Sequence, residues 1–574
     1  MRKVFEYLKP YLPRISVGLL IKFTGTIMDL ALPWILSYMI DDIVPLKDVG
    51  LIFIWGTAMI VCAVIALVTN IAANRMASWV AQHTTQTLRH DLFSKISYLS
   101  CKQIDDFSIP SLESRLTTDT YNIHQMIGMM QRLGVRAPIL LLGGILVTLT
   151  LDPLLSLVLI CTLPLIAAVM VYVSKKGIPL YIHLQHGVDE MVRTVRENIS
   201  GIRVIKALSK TDYEKERFAK VNSEVVRREK KAATTMALTN PVMNLFLNVG
   251  LTVVILVGAF LVNANMSQPG KIIAFMTYFT IILNAMLSIN RLFVMYSKGT
   301  ASAARISEVL NTLEDLKTQK VPEDLNEEGT YHILFDDVSF SYQKKEADIS
   351  HISFRLKKGE TLGIIGATGA GKSTITALLM RLYDADSGRI MIDGKPVESI
   401  PPEELHTKFG VVFQSDALFA DTIAENIDFG RKLSKEQLLR AAECAQAMEF
   451  IRSLPDGFEH RLTARGTNLS GGQKQRLLIA RALAGDPEIL ILDDSSSALD
   501  YRTDAKMRQA LKQHYANTTS IIIAQRVSSI LHADHILVIE DGKELGYGTH
   551  EELLQRCDIY RQIAESQMGG GEIA

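Results

Sequence analysis

Leu362-Gly363-Ile364-Ile365-Gly366-Ala367-Thr368-Gly369-Ala370-Gly371-Lys372-Ser373-Thr374 falls into three parts. Its first four residues are a continuous apolar run, the pattern of a central strand covered on both faces. Gly366 to Ser373 then fits GxxxxGK[ST], and a helical pattern begins at Thr374. Strand, glycine-rich loop and helix in this order make a phosphate cradle. The glycines let backbone N–H groups wrap phosphate oxygens, Lys372 reaches the outer phosphates, and the Ser373 hydroxyl is placed to ligate a cation.

Outward from this loop the same strand signal recurs in Val411-Val412-Phe413, Ile489-Leu490-Ile491-Leu492 and Ile521-Ile522-Ile523, the first two running straight into a polar residue and the third reaching Gln525 after Ala524. A parallel sheet would gather those polar groups at its carboxyl edge, where ligands bind. Asp493 closes one of the runs, an arrangement that holds the magnesium of a bound nucleotide. Between loop and aspartate lies Leu469-Ser470-Gly471-Gly472-Gln473, with Ser470 and Gln473 spaced as a capping box opening an amphipathic helix.

With these segments in this order the chain resembles the ATP-binding cassette (ABC) family, whose own signature is LSGGQ. The resemblance implies an α/β P-loop cassette that binds ATP with Mg2+. Gly366, Ala367, Thr368, Gly369, Ala370, Gly371, Lys372, Ser373 and Thr374 would surround the phosphates. Tyr342 would stack on the adenine, or be an ordinary strand aromatic. Ser373, Gln414 and Asp493 would hold magnesium, and Ser497-Ala498-Leu499-Asp500 would cross a dimer interface. In this family two cassettes sandwich two ATP molecules, each between the phosphate loop of one and the LSGGQ of the other, so a single cassette implies a second half-transporter.

Two residues depart from the family pattern. Asp494 stands where a glutamate normally polarises the attacking water, and Gln525 stands where a switch histidine is usual. A carboxylate withdrawn by about an ångström costs on the order of 100-fold in rate, and glutamine can donate a hydrogen bond but cannot carry charge. Both changes bear on hydrolysis and neither on ATP binding. The pattern resembles the degenerate-site subunit of heterodimeric bacterial multidrug exporters; the alternatives are a homodimeric exporter or lipid flippase in which Asp494 is a weaker base, or a regulatory cassette subunit. A third departure is Ala464, where exporters commonly carry a coupling glutamate.

The N-terminal half reads differently. Apolar residues make up 48% of the 574-residue chain, and they concentrate before residue 296. Six stretches there, near 15–40, 51–73, 132–151, 153–174, 239–263 and 271–296, are long enough to cross about 30 Å of hydrocarbon as helices. Polar helical tracts, 74–131 and 175–238, separate the second span from the third and the fourth from the fifth, and read as continuations of the spans beyond the membrane. These tracts are rich in Lys and Arg, whereas Leu151-Asp152 and Asn263 to Gly270 carry none. The positive-inside rule puts the N-terminus, the tracts and the cassette in the cytoplasm. Six spans followed by one cassette resemble an ABC exporter half-transporter, with a membrane domain at 1–300, a linker at 301–329 and the cassette at 330–574. No cleavable leader is apparent, and the resemblance implies a bacterial plasma membrane.

Formal net charge is zero, which gives no reason to invoke nucleic acid. The five cysteines are scattered, without ligand-like spacing. Asp29 is the deepest charge in the spans, with Lys22 on the same helical face; Asp29 could meet substrate or pair with a neighbouring helix. The methionines of the spans suit a tolerant pocket or plain packing. Glu197 to Lys206 and Ser114 to Asp119 resemble the cytoplasmic segments that couple cassettes to spans, ordinary solvated helices being the alternative. Hydrophobic drugs or lipids are the cargo the resemblance implies.

Overall fold

In the computed structural model, which describes residues 1–319, 331–342, 344, 346–495 and 499–568, the chain divides into two compact units. One comprises Met1–Tyr98 and Ser108–Thr312; the other comprises Leu99–Phe107 and Leu313–Ala574. Much of the expected linker (320–330), Ser497, Ala498 and the tail beyond Met568 lie outside the described residues.

The first unit is helical. Among its described residues six helical segments are long and apolar enough to cross a membrane, built on helices Leu12–Tyr38, Val49–Ser97, Thr120–Leu151, Pro153–Ser200, Thr239–Asn263 and Pro269–Leu310. The second helix has 49 residues, so at about 1.5 Å each it is roughly 74 Å long, more than twice the hydrocarbon thickness. Its apolar stretch is exposed along most of its length, with Phe53 and Ile60 more than 60% accessible. Such a surface is stable only against an apolar solvent.

Inside the bundle, small residues let helices approach. A side chain at Gly144 would press on Ile282, and one at Gly250 on Phe279; Ile282 and Phe279 belong to a core with Leu159, Ile166, Met243 and Met286. Met286 therefore packs, whereas the sequence left a pocket role open. The intramembrane charges also find protein partners. Asp29 accepts from Arg136 Nη2 at 3.1 Å, and Lys22, almost fully buried, donates to Asn70 and Asn74 at 2.8 and 3.1 Å instead of reaching for the interface. Ser114 to Asp119 belongs to this unit, where Asp119 is fully buried against Ser302 and Arg305. The short helix Cys101–Phe107 is the stretch of the first tract that clusters with the second unit.

Among its described residues the second unit is a curled α/β structure of ten strands, β1 (Ile333–Phe340), β2 (Ile349–Leu356), β3 (Thr361–Gly366), β4 (Ser387–Ile392), β5 (Lys395–Pro396), β6 (Phe409–Val412), β7 (Ile489–Asp493), β8 (Thr519–Ile523), β9 (His535–Glu540) and β10 (Lys543–Gly548). Their order is β5-β4-β1-β2-β10-β9-β3-β8-β7-β6. Strands β6, β7, β8, β3 and β9 run parallel, and the runs identified in the sequence supply four of them. Every residue of β7 is buried, as expected of a parallel strand covered on both faces. β1, β2, β4 and β5 are antiparallel and fold over, so that Phe335, Ile352 and Ile390 share a core with Ile364, Ile491 and Ile521. A separate core, containing Ile427, Ala441, Phe450, Leu477 and Leu483, joins a group of helices to the outer face of β6 and β7.

Candidate functional site

β3 ends at Gly366, where a side chain would strike the Ile539 carbonyl. The chain then turns through Gly369 and Gly371, both in the left-handed region at φ +87° and +89°, conformations that glycine adopts without strain. Gly371 caps the helix Lys372–Leu379, which aims that helix's unpaired N–H groups at the loop. Around Gly369 there is open space, while a side chain at Gly371 would meet Ile349 and the Asp348 carbonyl. The loop is thus a backbone-lined cradle closed on one side.

Lys372 Nζ folds across this cradle and donates to the carbonyls of Gly366 and Ala367 at 2.9 and 2.7 Å. Burial lowers its pKa, opposed by the carboxylates of Asp493 and Asp494. Asp493, at the end of β7 and 5% exposed, is hydrogen-bonded by the Ser373 hydroxyl; burial pushes its carboxyl above the usual range, with the Ser373 bond opposing and Asp494 adding. A buried carboxylate beside a hydroxyl is a hard-oxygen pair suited to Mg2+, and an amide-lined loop with a lysine is suited to polyphosphate. The residues present therefore fit both groups.

Asp494 is held at φ +49°, and Gln525 Nε2 donates to its Oδ2 at 2.9 Å. Gln525 is itself bracketed by Gln567 of the helix Asp558–Met568, whose amide donates to the Gln525 carbonyl at 3.0 Å and accepts from the Val527 N–H at 2.8 Å. The sequence did not point to Gln567, because a lone glutamine on a terminal amphipathic helix carries no motif. Tyr342 stands edge-on to Tyr383, ring centroids 5.0 Å apart at 89°, with its hydroxyl 3.5 Å from Thr374 Oγ1. Tyr383, also unmarked by any motif, donates to Asp105 at 2.6 Å, and the two rings line a cavity of about 600 Å3.

Ser470 and Gln473 form the reciprocal capping box, at 3.3 and 2.9 Å, that opens the helix Gly471–Leu483. Leu469 packs on the helical core and Leu477 lies within it, whereas the phosphate-loop helix sits on the sheet core through Ile375 and Leu378. Gly471 and Gly472 thus belong to a different packing unit from Lys372. Gln414 is exposed two residues beyond β6, and Asp500 caps the helix Tyr501–His514 through Thr503 at 2.9 Å.

Comparison with known proteins accords with this geometry. Residues 15–286 match the ABC transporter transmembrane region and residues 349–497 the ABC transporter family model. The chain is 37% identical to YfiB of Bacillus subtilis, an uncharacterised ABC transporter ATP-binding protein, over 99% of both chains. It is 30% identical to the ATP-dependent lipid A-core flippase of Mannheimia succiniciproducens, over 99% of this chain and 98% of that one. A solved bacterial Atm1-family ABC exporter with ATP bound shares the fold at a TM-score of 0.81 and 24% identity, covering 98% and 99% of the two chains. With its membrane region and its ATP-hydrolysing cassette fused in one polypeptide, this multi-pass membrane protein belongs to the ABC transporters and has the architecture of a half-transporter, with the fold of the solved exporter.

Proposed function

We propose that this chain is the slowly hydrolysing half of a two-chain exporter, working with a second half-transporter that carries the intact hydrolytic residues. The observation that carries the reading is the pairing of Gln525 with Asp494. The shorter carboxylate and the neutral amide occupy the two positions that would orient a water and respond to its attack, and they are bonded to one another. The binding residues are kept. Backbone N–H groups of Gly369 to Lys372 and the Lys372 ammonium hold the phosphates, Ser373, Gln414 and Asp493 hold Mg2+, and Tyr342 flanks the adenine. ATP with Mg2+ supplies the free energy of closure, and this chain's own site retains it for longer than the partner's.

Leu469 to Gln473 complete the partner's site, which is consistent with their placement on a core separate from Lys372. Exposed Ile199, Ile202, Val204 and Leu208 at the end of the fourth long helix are an apolar tip for a second chain to cover. Membrane domain and cassette divide near 1–300 and 330–574, with the cassette and N-terminus on the cytoplasmic side of the plasma membrane. The cargo is a hydrophobic or amphipathic compound, a drug or a lipid. The apolar spans and a flippase among the relatives support that class.

Steady-state ATP turnover by this chain alone in lipid nanodiscs tests the reading. Turnover near background is expected, rising on the order of 10- to 100-fold in the Asp494→Glu/Gln525→His variant once the carboxylate regains its reach. Vigorous Mg2+-dependent turnover by the parent chain, abolished in Lys372→Ala, would instead establish a self-sufficient homodimer.

A further inference from the structure

At the opposite edge of the sheet from the phosphate loop lies a second polar cluster. Glu488 precedes β7, so along that strand it is roughly 16 Å from Asp493. His332 precedes β1, Asp393 follows β4, and Thr519 opens β8. Main-chain bonds lock these residues together: Asp393 N–H donates to the His332 carbonyl at 2.9 Å, Thr519 N–H to Glu488 at 3.0 Å, and Ile489 N–H to Lys408 at 2.9 Å.

The His332 side chain is 1% exposed, and its Nε2 has no hydrogen-bond partner among the described residues. A buried ring nitrogen without one is costly. Its other nitrogen, Nδ1, is 2.6 Å from the Thr519 hydroxyl. That hydroxyl accepts from Gly359 N–H at 3.0 Å. With Nδ1 held by Thr519, Nε2 is the ring nitrogen left for a ligand, the arrangement that orients a metal-binding imidazole.

Nε2 faces Asp393 Oδ1 at 3.6 Å and Glu488 Oε2 at 3.9 Å, and the three ligand atoms all lie within 4.8 Å of one another. These separations are too long for hydrogen bonds. The two from Nε2 lie within a few tenths of an ångström of the roughly 3.3–3.6 Å between ligand atoms sharing a tetrahedral ion with bonds of about 2.0–2.2 Å. We propose that His332, Asp393 and Glu488 form a binding site for a divalent transition-metal ion of the zinc class, with Lys408 competing for its carboxylates. One imidazole and two carboxylates suit Zn2+, Co2+ or Ni2+, whereas Mg2+ and Ca2+ prefer oxygen alone, so the site is chemically distinct from that of the nucleotide. Lys408 Nζ lies 3.2 Å from Asp393 Oδ2 and 3.0 Å from Glu488 Oε2. Asp393 Oδ1 faces His332 without using the oxygen that Lys408 takes, but Glu488 Oε2 is shared, so the ammonium weakens the site.

Titration of the chelator-stripped full chain in nanodiscs with Co2+, followed by its visible absorption and displaced by Zn2+, tests the proposal. One Co2+ per chain with the intense bands of a tetrahedral ion is expected. His332→Gln, which keeps a polar group towards Thr519, should weaken binding at least tenfold. Lys408→Met should tighten it, an outcome independent of whether His332 variants fold, and Ser373→Ala should leave it unchanged. Absence of a saturable site, affinity unaltered by His332→Gln in a folded variant, or affinity reduced by Lys408→Met would overturn the assignment.

Discussion

Asp493 and Lys372 oppose one another in the cradle, and burial disfavours the charged form of each: the carboxyl is pushed up and the ammonium down. A carboxyl raised above its unfolded value binds its proton more tightly in the folded chain, so its contribution to stability falls as pH rises through the folded pKa. Above the unfolded pKa the cation-free Asp493 therefore costs stability, most fully once pH has passed the folded pKa. Asp493→Asn should raise the melting temperature of the nucleotide-free protein at neutral pH. The advantage should shrink as pH falls through the raised pKa, and the stabilisation that Mg2+ and ATP give the parent should be lost. A variant less stable than the parent at every pH would contradict this account. The identities of these residues could be read from the sequence because a phosphate loop and a strand-terminal carboxylate are local patterns. Their partners could not. Gln525 meets Asp494 across 31 positions and Gln567 meets Gln525 across 42, contacts decided by tertiary packing for which single-residue chemistry gives no signal.

Elements were legible in proportion to how strongly their environment constrains them. Strands β3 and β7 are buried on both faces and β8 fully on one, all three carry unbroken apolar runs, and the capping box at Ser470 announces its helix. The antiparallel strands β1 and β2 are broken by register shifts at Val338, which blur their alternation. Ser114 to Asp119 resembles a coupling segment in the sequence; in the structure its Arg115 and Asp119 also bond helix to helix within the membrane unit. Asp119, its side chain 1% exposed, accepts from both Arg305 and Ser302, while Arg305 is half exposed. That asymmetry predicts unequal losses. Arg305→Ala strands a buried carboxylate with Ser302 alone and should cost about 2–3 kcal/mol, below the range for fully buried pairs because the arginine is partly hydrated. Asp119→Ala leaves an arginine that can rehydrate, and should cost about 1 kcal/mol less. Thermal unfolding at a fixed scan rate ranks the two, and the reverse order would mean that the arginine's packing, not the buried charge, matters.

For the whole molecule, the two units follow from two solvents. The first exposes apolar helix surface that water would not tolerate, and the second buries its apolar strands beneath charged helices. Orientation is fixed by the regions outside the bilayer. The helix Thr211–Ala237 carries Lys215, Arg217, Lys220, Arg227, Arg228, Lys230 and Lys231, and moving such a charge density across a membrane is strongly disfavoured. The turn between the fifth and sixth spans has no lysine or arginine and only Asn263 to Gln268 to carry across. In a variant whose five native cysteines are replaced, a single cysteine at Ala264 should react with a membrane-impermeant maleimide on intact cells, and one at Glu216 only after permeabilisation; both positions are exposed in the structure. The opposite labelling would place the cassette outside, away from cytoplasmic ATP, and would contradict the export direction as well as the topology. Labelling of both from outside would mean that the long helices do not cross as read. Because the chain has the same six spans whether it pairs with itself or with a different half, this measurement fixes orientation independently of the partner, and the turnover of the isolated chain decides the pairing.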